Sequence, residues 1–399
     1  MISHPHPRVA VSDPVRAVTE LAGTVFAGRA AEYDATGQFP AADFQDLCTA
    51  GLNAPTVPTE YGGLGLGPYR RRTYPLWMMT AALAEADLSL ARCWEGHANS
   101  LMLIDALGTE AQRQLWFDGV VRGGEIWVAW SGEPQAPKPG EKPRFGTRLT
   151  RVDDGWLLNG SKAFATSAAG ADHAILLVDP TGAGGARYGT GAADSLLLLA
   201  CDLAQPSVSV DTSWWDPIGM RATGSHVVRF ADTYIADSAQ IGKPGDYLRY
   251  DWQTALIPHY AASYLGAARA AYRYALDYVR HQAKERDPYV QHRIGTMAVH
   301  TDTAAIWLAH VAELWDRGAR EEAMVAGVRA RHAIEQLAQS TVDNCIRACG
   351  ARSLIRPSPV ERVLRDLSLY LRHDNDDHVL ATIGRAALGV SHDRSFFKP

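Results

Sequence analysis

The sequence has few cysteines, no excess of basic residues and no long apolar run, and each absence excludes a class of protein. Only five cysteines occur in 399 residues, and their scattered positions favour a reducing compartment over a disulfide framework. A net charge of −5 gives no basic surface for nucleic acid. No apolar stretch approaches the ~20 residues of a membrane-spanning helix, so we expect no membrane segment. The first residues, MISHPHPRVAVSDP, contain no hydrophobic signal core, and we expect a cytoplasmic protein.

The spacing of apolar residues changes twice along the chain. A chain with 47% hydrophobic residues can bury a large core and divide it among two or three modules. Helical spacing fills the first and last thirds, whereas short strand-like runs fill the middle third. We therefore predict an α+β multidomain fold. Its parts are a helical domain over residues 1–122, a central β-barrel or sandwich over 123–240 and a C-terminal four-helix bundle over 241–399.

One stretch, DDGWLLNGSKAFATSAAGADHAILLVD from Asp153 to Asp179, organises the central part. A tight-turn signal at its start joins two strand-like runs, and the sequence Gly160–Lys162 interrupts the second run before a further extended segment. In that segment, period-two spacing places Phe164 and Thr166 on one face. An aromatic ring beside a hydroxyl suits a flat cofactor with polar edges. An ordinary hairpin in a small β-sandwich would carry the same pattern.

This stretch resembles the flavin-binding strand of the acyl-CoA dehydrogenase superfamily, in which an NGxKxWITN segment covers the flavin. Two further segments match in the same order, VPTEYGGLG from Val57 and RACGARSLIRPSPVERVLRD from Arg347. The resemblance implies FAD or FMN as the cofactor. Phe164 would stand at the family's Trp, Thr166 would bond the flavin edge, and Ser167 would replace an Asn.

The segment from Arg347 carries a second implication of the resemblance. In the family, a glycine pair at this place binds the distal part of the flavin of a neighbouring subunit. Here the pair is Gly350 and Ala351, with Arg347 at the family's Gln position. The resemblance therefore implies a homo-oligomer, typically a tetramer.

One loop departs from the family pattern. The family usually has TEPxAGSD after its first central strand, whereas this chain has SGEPQAPKP from Ser131 to Pro139. A shift by one residue would let Ser131 replace the flavin-holding Thr. The change weakens the case for a standard coenzyme A site.

The segment LRHDNDDH, from Leu371 to His378, bears on the reaction. Acyl-CoA dehydrogenases have YEGT here, and its Glu removes the proton α to a thioester. Alignment from Arg365 places Asp374 at that Glu, and alignment from Arg385 places His373 there. The Glu is absent in both alignments.

Loss of the Glu, with His97 and His373 present, resembles the oxygen-using branch of the superfamily. That branch includes dibenzothiophene monooxygenases, the oxygenase of 4-hydroxyphenylacetate 3-hydroxylase and amino-sugar nitrososynthases. The resemblance implies a two-component monooxygenase, which takes reduced flavin from a reductase and hydroxylates a small molecule through a flavin C4a-hydroperoxide. Thr166 would supply a donor at the flavin N5 edge, His373 or His97 an acid, and Asp374 the orientation of a His.

Three alternatives stay open. Asp374 could act as the base of a dehydrogenase for CoA-bound or carrier-bound acyl groups, which would pass electrons to a transfer partner. The chain could be a non-catalytic member of the family. Residues 374–376 could simply cap the helix that follows. We also expect Trp94, Trp130 and Asn375 in a substrate pocket, although core packing explains most Trp residues equally well. No residue pattern suggests a metal site.

Overall fold

Helices precede and follow a central block of strands in this computed structural model, which describes residues 13–134, 146–180, 196–373 and 376–390. Asp374 and Asn375 therefore lie outside the described residues. None of the helices in the described ranges is long and apolar enough to cross a membrane.

The described residues of the N-terminal part form six α-helices. Asp13 caps the first helix by accepting a hydrogen bond from the Arg16 N–H at 3.0 Å. A reciprocal capping box between Thr109 and Gln112 starts the sixth. The helices are α1 Pro14–Leu21, α2 Ala27–Thr36, α3 Ala41–Thr49, α4 Thr73–Ala86, α5 Leu88–Leu107 and α6 Glu110–Asp118.

The described strands of the central part form two four-stranded sheets. One has the order β1-β4-β5-β8 and contains a parallel pair, β1 with β4; the other has the order β2-β3-β7-β6 and is antiparallel. Leu158, Leu176 and Phe230 belong to a common core between the sheets, as the predicted sandwich requires. The strands are β1 Trp127–Trp130, β2 Arg148–Val152, β3 Gly155–Ala165, β4 His173–Val178, β5 Leu197–Asp202, β6 Val208–Asp211, β7 His226–Ala236 and β8 Gln240–Ile241.

Strand β3 corrects the prediction of two runs separated by a break. It is continuous, but its register with β7 shifts between Leu158 and Gly160 and again between Lys162 and Ala165. Gly160 has φ +135°, and a Cβ there would lie 2.8 Å from the Thr147 Cα. The irregular residues therefore form β-bulges within one strand instead of ending it.

In the described residues after the strands there are six more α-helices. Helices α8, α9 and α10 pack on one another, and α11 packs on α8 and α10, which confirms the predicted C-terminal bundle. Helix α4 also packs along α8, so the two helical parts share one core. The helices are α7 Asp246–Arg249, α8 Trp252–His281, α9 Pro288–Asp316, α10 Arg320–Cys349, α11 Pro359–Tyr370 and α12 Asp376–Ala387.

A turn before β7 joins the sheets to α11. Gly219 lies so close to α11 that a Cβ would come within 2.3 Å of the Arg365 carbonyl carbon. The next residue, Met220, donates its N–H to the Asp366 carboxylate. Arg365 also forms two hydrogen bonds to Asp34 on α2, at 2.9 and 2.6 Å. This contact brings residues 220–225 beside the end of α11.

Candidate active site

A cavity of about 500 Å³ lies where β1, β3 and the turn before β7 face α5 and the end of α11. We call its two sides the strand wall and the helix wall. The strand wall consists of Ala129, Trp130, Ser131, Gly132, Ala163, Phe164, Thr166, Trp215, Met220, Thr223 and Ser225. The helix wall consists of Arg92, Leu369, Tyr370, Arg372 and His373.

The cavity gathers five of the residues singled out in the sequence. Trp130 and Ser131 come from the end of β1, Phe164 and Thr166 from the end of β3, and His373 from the end of α11. More than two hundred positions separate the first of these segments from the last, so only the fold brings them together.

Phe164 presents an uncovered aromatic ring at the mouth of the strand wall. Its side chain is 64% exposed, and its backbone has φ +50°, within the second register shift of β3. The ring meets Trp214 edge-on, with 4.8 Å between centroids. Thr166 lies just beyond the strand, so a bulge and a turn, and not the simple alternation predicted, bring both residues to the cavity.

A chain of hydroxyl groups lies behind Thr166. The Thr166 Oγ1 lies 3.1 Å from Ser225 Oγ, which lies 2.8 Å from Thr223 Oγ1, and Thr223 donates to the Met220 carbonyl at 2.8 Å. The single hydroxyl hydrogen of Thr223 is used in the bond to the Met220 carbonyl, so Ser225 must donate to Thr223. The hydrogen of Ser225 is then used as well, and Thr166 must donate to Ser225. The oxygen of Thr166 is therefore left as an acceptor.

A buried ion pair fixes the loop that carries Ser131. Lys162 is fully buried and donates to Glu133 at 2.9 Å and to the Leu177 carbonyl at 2.8 Å. Burial opposes the charge of Glu133, yet Lys162 and the hydroxyl of Thr147 hold its pKa below the usual range. Gly132 accepts from the Ala163 N–H at 3.1 Å, and a Cβ on it would lie 2.8 Å from the Ala163 oxygen. The absence of a side chain on Gly132 thus allows this close contact with β3.

The helix wall is organised around Glu95, which is buried on α5. Its carboxylate accepts from Arg92 at 3.1 Å, from the Tyr370 hydroxyl at 2.6 Å and from the Asn99 amide at 2.9 Å. Burial, with the charge of Glu95 next in importance, raises the pKa of Tyr370 well above its ordinary value. Sequence reasoning missed Arg92 and Tyr370. The sequence signal that could have identified Arg92 is the charged pair Arg92 and Glu95, three residues apart in a largely apolar helix.

His373 lies at the end of the helix wall, in a short 3-10 turn that follows α11. Its ring meets the ring of Tyr260 edge-on, with 5.4 Å between centroids, and lies 6.1 Å from that of Tyr370. The chain positions predicted with it, Asp374 and Asn375, lie outside the described residues.

His97 and Trp94 face the interior instead of the cavity. His97 Nε2 donates to the Asn53 carbonyl at 2.7 Å, and Nδ1 accepts the Trp127 N–H at 2.9 Å, so the ring is neutral. Burial lowers its pKa to about 4. The indole of Trp94 donates to the Leu52 carbonyl at 3.3 Å. We therefore drop His97 as a candidate acid and Trp94 as a pocket residue.

The remaining predicted residues lie outside the cavity lining of this chain. Ser167 is buried in the turn after β3, with φ +65°, and its N–H donates to the Thr223 carbonyl at 2.8 Å. Arg347 is paired with Asp343 at 2.7 Å near the end of α10. Gly350, with φ +74°, ends that helix, and Ala351 follows.

Acidic, His and Cys side chains form no metal-binding group in the described part of the chain. Those described residues contain no cluster of three or more such side chains that could hold a metal ion. None of the five cysteines, which all lie in the described ranges, forms a disulfide.

Comparison with known proteins reveals the same family at both ends of the chain. The profile of the acyl-CoA dehydrogenase N-terminal domain matches residues 13–124, and that of the acyl-CoA dehydrogenase C-terminal domain matches residues 259–375. Together these matches cover more than half of the sequence.

Individual relatives align over nearly the whole length. A putative acyl-CoA dehydrogenase, YdbM, of Bacillus subtilis is 28% identical, over 91% of this chain and 93% of its own. The dibenzothiophene monooxygenase of Rhodococcus erythropolis is 26% identical, over 96% and 95%. The crystal structure of TdsC from Paenibacillus sp. A11-2 with FMN and indole has a TM-score of 0.83 at 24% identity, covering 96% of this chain and 100% of TdsC. The order of helices, strands and helices, the gathered motif residues and these matches agree, and the chain belongs to the acyl-CoA dehydrogenase superfamily.

Proposed function

We propose that this chain is the oxygenase component of a two-component flavin-dependent monooxygenase that hydroxylates a small molecule. The composition of the cavity carries the proposal: His373 lines it, whereas no Asp or Glu does among the described residues. A dehydrogenase needs a base within about 2.6–3.2 Å of the proton it removes, and the sequence has no Glu beyond Glu361. An oxygenase needs a site that excludes water and a group that can hold a proton near neutral pH, as a His does.

The strand wall fits a flavin ring. Phe164 offers an uncovered flat surface, and Thr166 supplies a polar atom at the edge. A reduced flavin bound there would supply the electrons and the chemistry that activates oxygen. Such a flavin carries an N–H at its edge, which suits the acceptor oxygen that the hydroxyl chain leaves on Thr166.

The other lining residues would control water and protons. Trp130, whose indole donates to the Thr166 carbonyl at 3.0 Å, fixes the turn after β3 and covers that side of the cavity. Leu369 and Tyr370 close the opposite side with apolar surface. His373 is the group in position to hold or donate a proton at the end of the helix wall.

The known relatives support the oxygenase and favour FMN over FAD. The monooxygenase of Rhodococcus erythropolis acts on dibenzothiophene, and TdsC holds FMN together with indole. We propose FMN as the cofactor and a small, aromatic or biosynthetic molecule as the substrate.

We further propose that a separate reductase supplies the reduced flavin, and that the chain forms a homo-oligomer, typically a tetramer, in the cytoplasm. The family's inter-subunit segment, here Arg347 to Ala351, supports oligomerisation. The lack of a disulfide among the five cysteines of the described ranges supports a reducing compartment. The run of strands from Trp127 to Ile241 supports the proposed division at residues 122 and 240.

Rapid mixing tests the proposed function. Protein loaded with reduced FMN without oxygen is mixed with air-saturated buffer, and the absorbance of oxidised flavin is followed. We expect a lag before this absorbance returns, whereas free reduced FMN should show none. His373→Gln should shorten the lag, because the variant lacks the proton-holding group. His292→Gln, at an exposed position of α9, is the matched control and should keep the parental lag.

Two other outcomes would contradict the proposal. Absence of a lag, with bleaching of bound flavin by an acyl thioester without oxygen, would identify a dehydrogenase with Asp374 as the candidate base. The similarity to the putative acyl-CoA dehydrogenase of Bacillus subtilis makes this the second candidate. If neither FMN nor FAD bound, the chain would be a non-catalytic member of the family.

A further inference from the structure

The helix wall carries a guanidinium group that its neighbours hold in place without using all its donors. Nη1 of Arg92 is engaged, at 3.1 Å from each oxygen of Glu95. Within the described ranges of the chain, no residue hydrogen-bonds to Nε or Nη2 of Arg92. The side chain is 19% exposed and lines the cavity. Because a guanidinium has five N–H donors in a planar fork, most of its capacity remains for a ligand.

A buried network fixes the carboxylate that holds Arg92. Asn99 donates to Glu95 through Nδ2, so its Oδ1 faces His259 Nδ1, at 2.7 Å, and must accept. His259 therefore carries its proton on Nδ1, and its Nε2 lies 2.7 Å from the hydroxyl of Thr80. The chain runs from α4 through α8 to α5, within the core. This network ends at Glu95, beside the cavity. Because Glu95 is held in place, the guanidinium of Arg92 has a fixed orientation.

The charged side chains among the described residues that line the cavity are positive. Arg92 and Arg372 both line it, and among the described lining residues there is no Asp or Glu. Arg372 is tied to the buried Glu335 at 2.9 Å, whereas Glu95 lies behind Arg92 and already accepts three donors. Few protein groups compete with a ligand for Arg92, and interactions between charges strengthen in a partly buried site.

From this arrangement we infer that Arg92 binds an anionic group of the substrate, such as a carboxylate, a sulfonate or a phosphate, in a forked hydrogen bond. The inference rests on the proposed function, because it takes the strand wall as the flavin side. The ring of Tyr370, 5.7 Å from the guanidinium carbon, would pack beside the same group. The substrate is then a small molecule with an anionic end on the helix wall and its reacting part toward Phe164.

Calorimetric titration of the protein loaded with oxidised FMN tests the inference with matched probes. Benzoate is compared with benzamide, and benzenesulfonate with benzenesulfonamide, which are neutral counterparts of similar shape. We expect at least one anion to bind at least about tenfold more tightly than its neutral counterpart, because a charge-assisted hydrogen bond is replaced by a neutral one. Arg92→Met should abolish this preference with little effect on the neutral probe. Arg280→Met, at an exposed i,i+3 pair on α8, should retain it.

Arg92→Met leaves Glu95 buried without its cation, so a second variant guards against loss of folding. Arg92→Met/Glu95→Gln keeps an acceptor for Tyr370 with no net buried charge, and it should also lose the anion preference. Equal binding of anionic and neutral probes to the parent, or no binding of either anion, would overturn the inference. Retention of the preference in the double variant would also overturn it.

The phosphate of the flavin is the other possible source of an anion. FMN and riboflavin, which lacks the phosphate, are therefore titrated against the same variants. A loss of FMN affinity in Arg92→Met, with riboflavin unaffected, would assign Arg92 to the cofactor and overturn a substrate role. All these titrations use oxidised flavin without a reductant. Anion preference in a protein that shows no lag after mixing with oxygen would therefore refute the oxygenase and support the anion site.

Discussion

The two walls of the cavity use different chemistry. The strand wall contains hydroxyls, a glycine and aromatic rings but no charged lining residue, and Phe164 and Met220 there have positive φ. The helix wall contains a histidine and two arginines, and each arginine is paired with a carboxylate buried behind it. Backbone shape and neutral hydrogen bonds suit a flat cofactor shared by a whole family, whereas fixed charges select one substrate among many. The contrast predicts that changes in the two walls have separable effects.

The largest expected effect tests the charged wall. Glu95→Ala should lower the free energy of unfolding by about 3–5 kcal/mol, because it leaves Arg92 as an uncompensated, largely buried cation. Glu110→Ala removes the partner of Arg113 in an exposed i,i+3 pair and should cost about 0–1 kcal/mol. Urea denaturation of the two variants measures both values. Equal small losses would show that the helix wall does not depend on its buried carboxylate.

The second test concerns His97, which lies behind the strand wall against the start of β1. Its folded pKa of about 4 lies below the ordinary value of about 6.5, so between these pH values the unfolded chain binds the extra proton. The parent should therefore lose up to about 3 kcal/mol relative to His97→Gln as the pH falls from 6.5 to 4. Other groups titrate in the same window, but the difference between the two proteins isolates His97. Parallel stability curves would contradict a buried, neutral ring.

The smallest effect should come from the strand wall itself. Thr166→Val keeps the shape of the side chain and removes the acceptor oxygen, so binding of reduced FMN should weaken by about 1 kcal/mol, or roughly fivefold. Oxidised FMN, which has no N–H at that edge, should lose less. Anaerobic titration of both redox forms measures the difference. An equal loss for both forms would show that Thr166 does not distinguish them.

The sequence indicated Trp130, Ser131, Phe164 and Thr166 of the strand wall because their signals are local. The motif around Phe164 and Thr166 and the departure at Ser131 could each be identified within one segment. The structure adds that Gly160 lies in a bulge and not at the end of a strand. Period-two reasoning fails at such a point because a bulge shifts every following side chain to the other face.

The helix wall could not be predicted in the same way. Helix α5 is buried nearly all round, so its hydrophobic pattern does not indicate which side faces the cavity. His97 was predicted as a site residue because a His can act as an acid. Arg92, five positions earlier, is the residue that reaches the cavity. Five positions correspond to about 140° around a helix, which separates the two side chains onto different faces. Contacts from α4, α8 and α11 fix this orientation, and they are remote in sequence.

The contact between Gly219 and α11 has a consequence for changing the substrate range of this protein. The turn contributes Met220, Thr223 and Ser225 to one wall, and α11 carries Tyr370 and His373 in the other. A side chain at position 219 would collide with the backbone of Arg365 and separate the walls. Engineers could therefore exchange residues on the helix wall to accept new molecules, provided that this single contact stays intact. Together with the hydrogen bond from Met220 to Asp366, it holds the turn of the strand wall against the helix that carries Tyr370.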